Sequence, residues 1–166
     1  KGTFGDSIET VIDAVDQRKS VSFPRPSYDG RFLCYPFSDY GQFSIWHHEA
    51  DLYLMDLSTG ESHAMTGANS KDTESFHNWS ANSKWVVFAS RRDDGLYTRL
   101  YMAEAQDSGK FSKPFMLPQR NPYKYYNDLM YSYNTPDFCD KPFDFSPAEL
   151  RRIANSSERK SVEARE

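Results

Sequence analysis

Two stretches of this 166-residue chain lie over each other. A sequence that repeats itself at a fixed interval folds as stacked copies of one unit. The first stretch is Pro26-Ser27-Tyr28-Asp29-Gly30-Arg31-Phe32-Leu33-Cys34-Tyr35, followed by Asp51-Leu52-Tyr53-Leu54-Met55-Asp56-Leu57 and Ser58-Thr59-Gly60. The second is Trp79-Ser80-Ala81-Asn82-Ser83-Lys84-Trp85-Val86-Val87-Phe88, followed by Arg99-Leu100-Tyr101-Met102-Ala103-Glu104-Ala105 and Asp107-Ser108-Gly109. Ser27 to Ser80 is 53 positions and Leu52 to Leu100 is 48, so the first unit carries five extra residues between its middle strands. A period near ~50 with several short strands per unit is the signature of propeller blades.

Turn chemistry points the same way. Tyr28-Asp29-Gly30 and Ala81-Asn82-Ser83 place Asp or Asn where a tight turn needs a side-chain cap or a positive φ, and Thr59-Gly60 and Ser108-Gly109 close the next strand pairs. Between these turns, Phe32–Phe37 and Lys84–Ala89 are rich in aromatic and β-branched residues on both faces, as strands inside a stack of sheets must be. Twelve Phe and eleven Tyr are more rings than a Leu-rich helical bundle uses. The fold expected is mainly β: a partial β-propeller of about two four-stranded antiparallel blades plus a short C-terminal helix. That helix starts at Ser146-Pro147-Ala148-Glu149, a capping box with Pro at the first helical position, and runs to about Asn155 before a charged, fraying tail.

The expected organisation is residues 1–20 as part of a preceding blade, 21–67 as the first blade and 68–118 as the second. Residues 119–166 then form a Tyr-rich covering segment, a short helix and a tail. Ile8, Val11, Ile12 and Val15 fall at helical spacing, which makes the first segment ambiguous between helix and strand. The chain starts at Lys1 without Met or leader, and with only two repeats it reads as a piece of a longer protein. Two blades leave apolar faces open, so self-association through those faces is expected unless the chain's own ends cover them.

The quoted Ser-x-Asp-Gly-Arg-Phe-Leu-x-Tyr and Asp-Leu-Tyr-Leu-Met-Asp-Leu segments resemble the TolB-like, WD40-like β-propeller repeat. Phe76-His77-Asn78-Trp79-Ser80 through Ser90-Arg91-Arg92-Asp93-Asp94-Gly95-Leu96-Tyr97-Thr98-Arg99 is similar to secreted TolB-like proteins of Bacteroidetes, a likeness extending over about residues 20–138. The resemblance implies a propeller fold, a periplasmic or secreted location, and Glu9–Ala14 as the outer strand of a preceding blade. It implies no particular activity. Ala81-Asn82-Ser83 stands where the family usually has Pro-Asp-Gly, which implies a looser turn.

Composition excludes some functions. A formal net charge of −4 excludes a generally basic nucleic-acid binder. A mean hydropathy of −0.78 and the lack of a long uncharged apolar run exclude a transmembrane helix. Two cysteines do not make a disulfide scaffold; Cys34 is expected to be buried and both thiols free. No Gly-x-Ser-x-Gly, P-loop, dinucleotide fingerprint or paired-Cys site occurs, so no nucleophile with its base and no cofactor is indicated.

Connections in an antiparallel blade alternate between its two ends. The tight turns therefore share one end, and the long connections 39–50, 67–76 and 91–97 share the other, where binding usually sits. On that end Arg91 and Arg92 can grip a carboxylate or phosphate with Asp93 and Asp94 setting geometry, or the four can be a structural hairpin. Tyr97, Trp46 and His77 complete the candidate binding residues, although His77 also reads as a packed inner-strand residue. His47-His48-Glu49 with Asp51 lacks the spacing of a metal helix, and adjacent strand residues point apart, so no metal is assigned. Tyr123, Tyr125, Tyr126, Tyr131 and Tyr133 are either a stacking platform for sugars or the cover of a β core.

The function expected is a non-catalytic binding or scaffolding module whose protein, small-molecule or glycan partner meets the long-loop end. The alternatives are the propeller part of a larger hydrolase and a carbohydrate-binding module using the Tyr and Trp46 rings.

Overall fold

The computed structural model describes residues 5–157. It contains two antiparallel sheets, two short helices and no closed barrel, a mainly β and partial propeller-like arrangement. In sheet 1, β3 (Phe32–Ser38) pairs on one side with β1 (Ser20–Val21) and β2 (Arg25–Pro26), which are two halves of one broken inner strand. On its other side lie β4 (Asp51–Asp56) and then β5 (Ser62–Ala64). Sheet 2 has the order β6 (Glu74–Trp79), β7 (Trp85–Ser90), β8 (Arg99–Glu104) and β9 (Phe115–Met116). Register follows the repeat: Phe32 sits opposite Asp56 in sheet 1, and their counterparts Trp85 and Glu104 sit opposite each other in sheet 2.

Alternation along the strands decides which faces meet. Phe32, Cys34, Leu52 and Leu54 of sheet 1 form one buried cluster with Val86, Phe88, Tyr101 and Ala103 of sheet 2. Trp79 fills the same layer, and its indole N–H donates to the carbonyl of Arg25 at 3.1 Å, joining inner strand to inner strand. Cys34 is buried there and Cys139 is exposed; neither is bridged.

The tight turns lock the short-turn end. Asp29 Oδ1 accepts from the Arg31 amide at 3.2 Å, and Asn82 Oδ1 accepts from the Lys84 amide at 3.1 Å. The expected looseness of the second turn is therefore absent: Asn82 does the work of Asp29, and Ser83 takes φ 58° where Gly30 has 72°. The Ser83 hydroxyl in turn accepts from the Asp29 amide at 2.9 Å, and Arg31 reaches the Asp107 carbonyl at 2.9 Å. All four elements of that contact set lie on one end, as the parity argument requires.

The expected strand at Glu9–Ala14 does not form, and neither does a helix on the Ile8 stripe; Ile8, Val11 and Val15 are exposed. The physical reason is twofold. The inner edge of β3 is already taken by β1 and β2, segment 5–19 pairs with none of the open strand edges, and a lone strand is unstable. Thr10, Val11, Ile12 and Val15 are β-branched and poor helix formers.

The C-terminal segment covers part of sheet 2. Helix α1 (Pro122–Asp128) is capped by Asn121, whose side chain accepts from the Lys124 amide at 3.1 Å. Buried Arg99 donates to the carbonyls of Tyr126, Leu129 and Tyr131 at 3.1, 3.4 and 3.4 Å, nailing this segment down. Tyr133 and Leu117 then pack on Ala89 and Leu100, on the side of sheet 2 turned away from sheet 1. Helix α2 (Pro147–Ala154) has the expected capping box from Ser146 and Glu149. The expected tail lies mostly outside the described residues. No helix among the described residues is long and apolar enough to cross a membrane.

Arg99→Met strands three carbonyls and is expected to lower stability by about 2 kcal/mol. Hydrogen exchange at the Tyr133 amide should accelerate, and an apolar dye should bind the uncovered Ala89 and Leu100. Unchanged protection of Tyr133 would show that something other than Arg99 holds the cover.

Candidate functional site

The long loops meet at the other end. Loop 39–50 carries a 3-10 turn, Ser44–Trp46, that dips beside the inner strand of sheet 2, where Ser44 and Ser75 share a hydroxyl hydrogen bond of 2.7 Å. His48 Nδ1 and Asp72 Oδ1 are 2.9 Å apart, tying loop 39–50 to the loop before β6. Thr73 donates its hydroxyl to the carbonyl of His47.

Arg91 and Arg92, adjacent in sequence, have opposite fates. Arg92 Nη2 donates to Glu74 Oε1 at 2.9 Å and to the Ala68 carbonyl at 2.7 Å, and its Nε reaches Ser90 Oγ at 2.9 Å. Its guanidinium lies 4.4 Å from the Tyr101 ring and 5.4 Å from the Phe88 ring. Glu74, with no exposure, further accepts from Ser70 at 2.7 Å and Ser90 at 2.8 Å. Arg92 spends Nε and Nη2 on acceptors of the chain itself, so Arg92 is structural.

Arg91 is only 8% exposed, yet its Nε has no hydrogen-bond partner. Its guanidinium sits 4.5 Å from the Trp46 ring centre, a cation–π contact that supplies no acceptor. The nearby Asp72 carboxyl would be raised by burial, but the Thr73 amide, His48 and then Arg91 hold it below the usual range. A buried N–H without an acceptor is costly, and an unsatisfied group beside a cleft calls for an explanation that a ligand can supply.

Arg91 opens into a cleft of about 370 Å³. Phe43, Ile45 and Trp46 come from loop 39–50, Phe76 from β6, and Thr98 and Ser132–Asn134 from beside β8 and the covering segment. Phe76 is there because the backbone is forced: its φ is 43° at a bulge in β6. Phe23, at the break between β1 and β2, has φ 45°, and the two rings meet edge to face at 5.3 Å. Bulky residues rarely take this conformation, and it recurs at sites where function fixes the backbone.

The remaining candidates lie elsewhere. Asp93 accepts the Tyr101 hydroxyl at 2.8 Å. Asp94 accepts from the Leu96 and Tyr97 amides at 2.8 Å and pairs with Arg99 at 3.6 Å, while Tyr97 lies over Arg99 at 5.2 Å. These three line a larger cavity of about 520 Å³ beside α1, whose one cation, Arg99, is already committed. His77 does not reach the cleft: it is buried between the sheets, its Nε2–H donating to the Cys34 carbonyl at 2.9 Å. Of the candidates, Trp46 and Tyr133 join Arg91 at the cleft. The tyrosines split, Tyr126 bonding the Leu117 carbonyl as a cover residue while Tyr123 and Tyr131 are exposed. His47 and His48 diverge, His47 against the Tyr40 ring and His48 toward Asp72.

Phe43, Phe76, Ser132 and Asn134 were not among the sequence candidates. A signal for Phe76 did exist: Phe23 to Phe76 is 53 positions, the same offset as Ser27 to Ser80. Compared with known proteins, the chain matches no family model and no curated protein.

Two predictions follow from these charges. Arg92→Ala leaves Glu74 buried and unpaired and is expected to lower stability by about 3–5 kcal/mol. Arg91→Gln is expected to change it by no more than about 1 kcal/mol. Equal destabilisation in urea titrations would make Arg91 structural too.

The second concerns pH. Burial holds His77 down at about 4, so it stays neutral while the unfolded chain takes up a proton below the ordinary 6.5. Its contribution is present above pH 6.5 and is lost as pH falls toward 4, at most about 3 kcal/mol. Burial, then Glu74, raises Asp51 to about 6, a contribution of opposite sense that is full below pH 3.8 and lost as pH rises through 6. The stability gap between the wild type and His77→Gln should therefore narrow between pH 7 and pH 4.5. A constant gap would refute the buried neutral imidazole.

Proposed function

We propose that the chain is a non-catalytic binding module of an exported TolB-like β-propeller protein, taking its ligand at the long-loop end. One observation carries this reading: that end holds a buried arginine, Arg91, whose Nε has no acceptor and which faces an aromatic cleft, whereas the short-turn end is closed by its own hydrogen bonds. The cleft draws on four separate stretches of chain, so a ligand there bridges both sheets and the covering segment. The repeat motifs support the family and the exported location. A sugar platform is less well supported, because only Trp46 and Tyr133 of its rings share a cleft, the other tyrosines being divided between two more.

The test is a chemically diverse fragment set screened by amide NMR on labelled protein. Perturbations are expected to cluster on residues 43–46, 76, 91 and 132–134. Hits confined to the short-turn residues 29–31, 82–83 and 107–109, or an absence of hits, would refute the assignment of the binding end.

A further inference from the structure

Resting on that reading, we infer that the Arg91 cleft takes a monoanionic carboxylate carried on a flat apolar body. Arg91 is the single cation among the residues lining the cleft, and the next two arginines along the chain are matched, Arg92 by Glu74 and Arg99 by Asp94. One free positive charge calls for one negative charge. A dianion is disfavoured because Asp72 lies close enough for its charge to interact with Arg91, and no second cation is present in the lining. The planar guanidinium fork matches a carboxylate better than a spherical anion, and its π-face is already occupied by Trp46, leaving the N–H edge for the ligand.

The rest of the cleft describes the ligand's body. Phe43 and Trp46 stand largely exposed at the lip, Phe76 forms the floor beside Ile45, and Tyr133 closes the far side. The polar capacity left is small. Thr98 spends its hydroxyl on the Tyr133 carbonyl, and Ser132 Oγ accepts from the Thr98 amide at 3.2 Å. Ring faces with one charged anchor, Arg91, beside the uncharged Ser132 and Asn134, suit an aromatic acid, and about 370 Å³ lies at the small end of ligand sites. The same chemistry comes from a small aryl acid or from a peptide ending in an aromatic residue with a free carboxylate.

The experiment titrates labelled protein with phenylacetate, phenylacetamide and inorganic phosphate, reading the Trp46 indole and the Phe76 and Tyr133 amides. Phenylacetate should saturate these signals, with phenylacetamide binding roughly tenfold more weakly and phosphate weaker still. Arg91→Gln should make acid and amide equal. Trp46→Leu keeps the charge and should weaken both together, which serves as the test if Arg91→Gln does not fold. A peptide ending in Phe, against its C-terminal amide, separates the two sources: preference for the free-acid peptide over phenylacetate marks a chain terminus, and the reverse a small acid. Equal binding of phenylacetate and phenylacetamide overturns the anion while leaving the long-loop end as the binding end. Phosphate binding as well as phenylacetate, or Trp46→Leu leaving both affinities unchanged, overturns the flat body. Shifts only at the short-turn end overturn this inference and the proposed function together.

Discussion

A carboxylate sealed from water sets the geometry of the long-loop end. Glu74 accepts from Ser70, Ser90 and Arg92, and through Arg92 it reaches the Ala68 carbonyl and the rings of Phe88 and Tyr101. These groups belong to the loop before β6, to β7, to the loop after it and to β8, so one buried charge ties two connections to two strands. A buried ion pair of this kind is not a large source of net stability, but breaking half of it is very costly. Arg91 is presented at a fixed place because its neighbour in sequence is pinned.

The repeated architecture was legible because it rests on residues that act locally. Asp29 and Asn82 cap their turns through their own side chains, and the run of apolar residues on both faces of β3 and β7 marks them as inner strands without reference to the rest of the chain. The binding cleft was less legible, since it depends on where loops go. Nothing local distinguishes Arg91 from Arg92; only the position of Glu74, reached through a bulged strand, decides which guanidinium is spent. His77 likewise sits one residue from Phe76, and the bulge sends one inward and the other to the cleft.

The two chain ends show the same contrast. Ser146 to Glu149 carry a capping box that needs no partner, and the helix forms as read. Asn121-Pro122 is an equally local start signal and opens α1, a helix that the run of tyrosines obscured. The Ile8 stripe had the right spacing but no surface to lie on, and spacing without a partner makes no structure.

Ser83 gives the stack a direction. Were the two units interchangeable, each turn would carry Gly, as Gly30 does, and neither would reach across to the other. Instead the second turn accepts a strained backbone, and its hydroxyl receives the amide of the first. The acceptor is a hydroxyl that Gly30 lacks while the donor is a main-chain amide that every such turn has, so two copies of sheet 1 cannot make the contact. One side chain at one turn position thus couples the two units where the repeat itself offers only backbone.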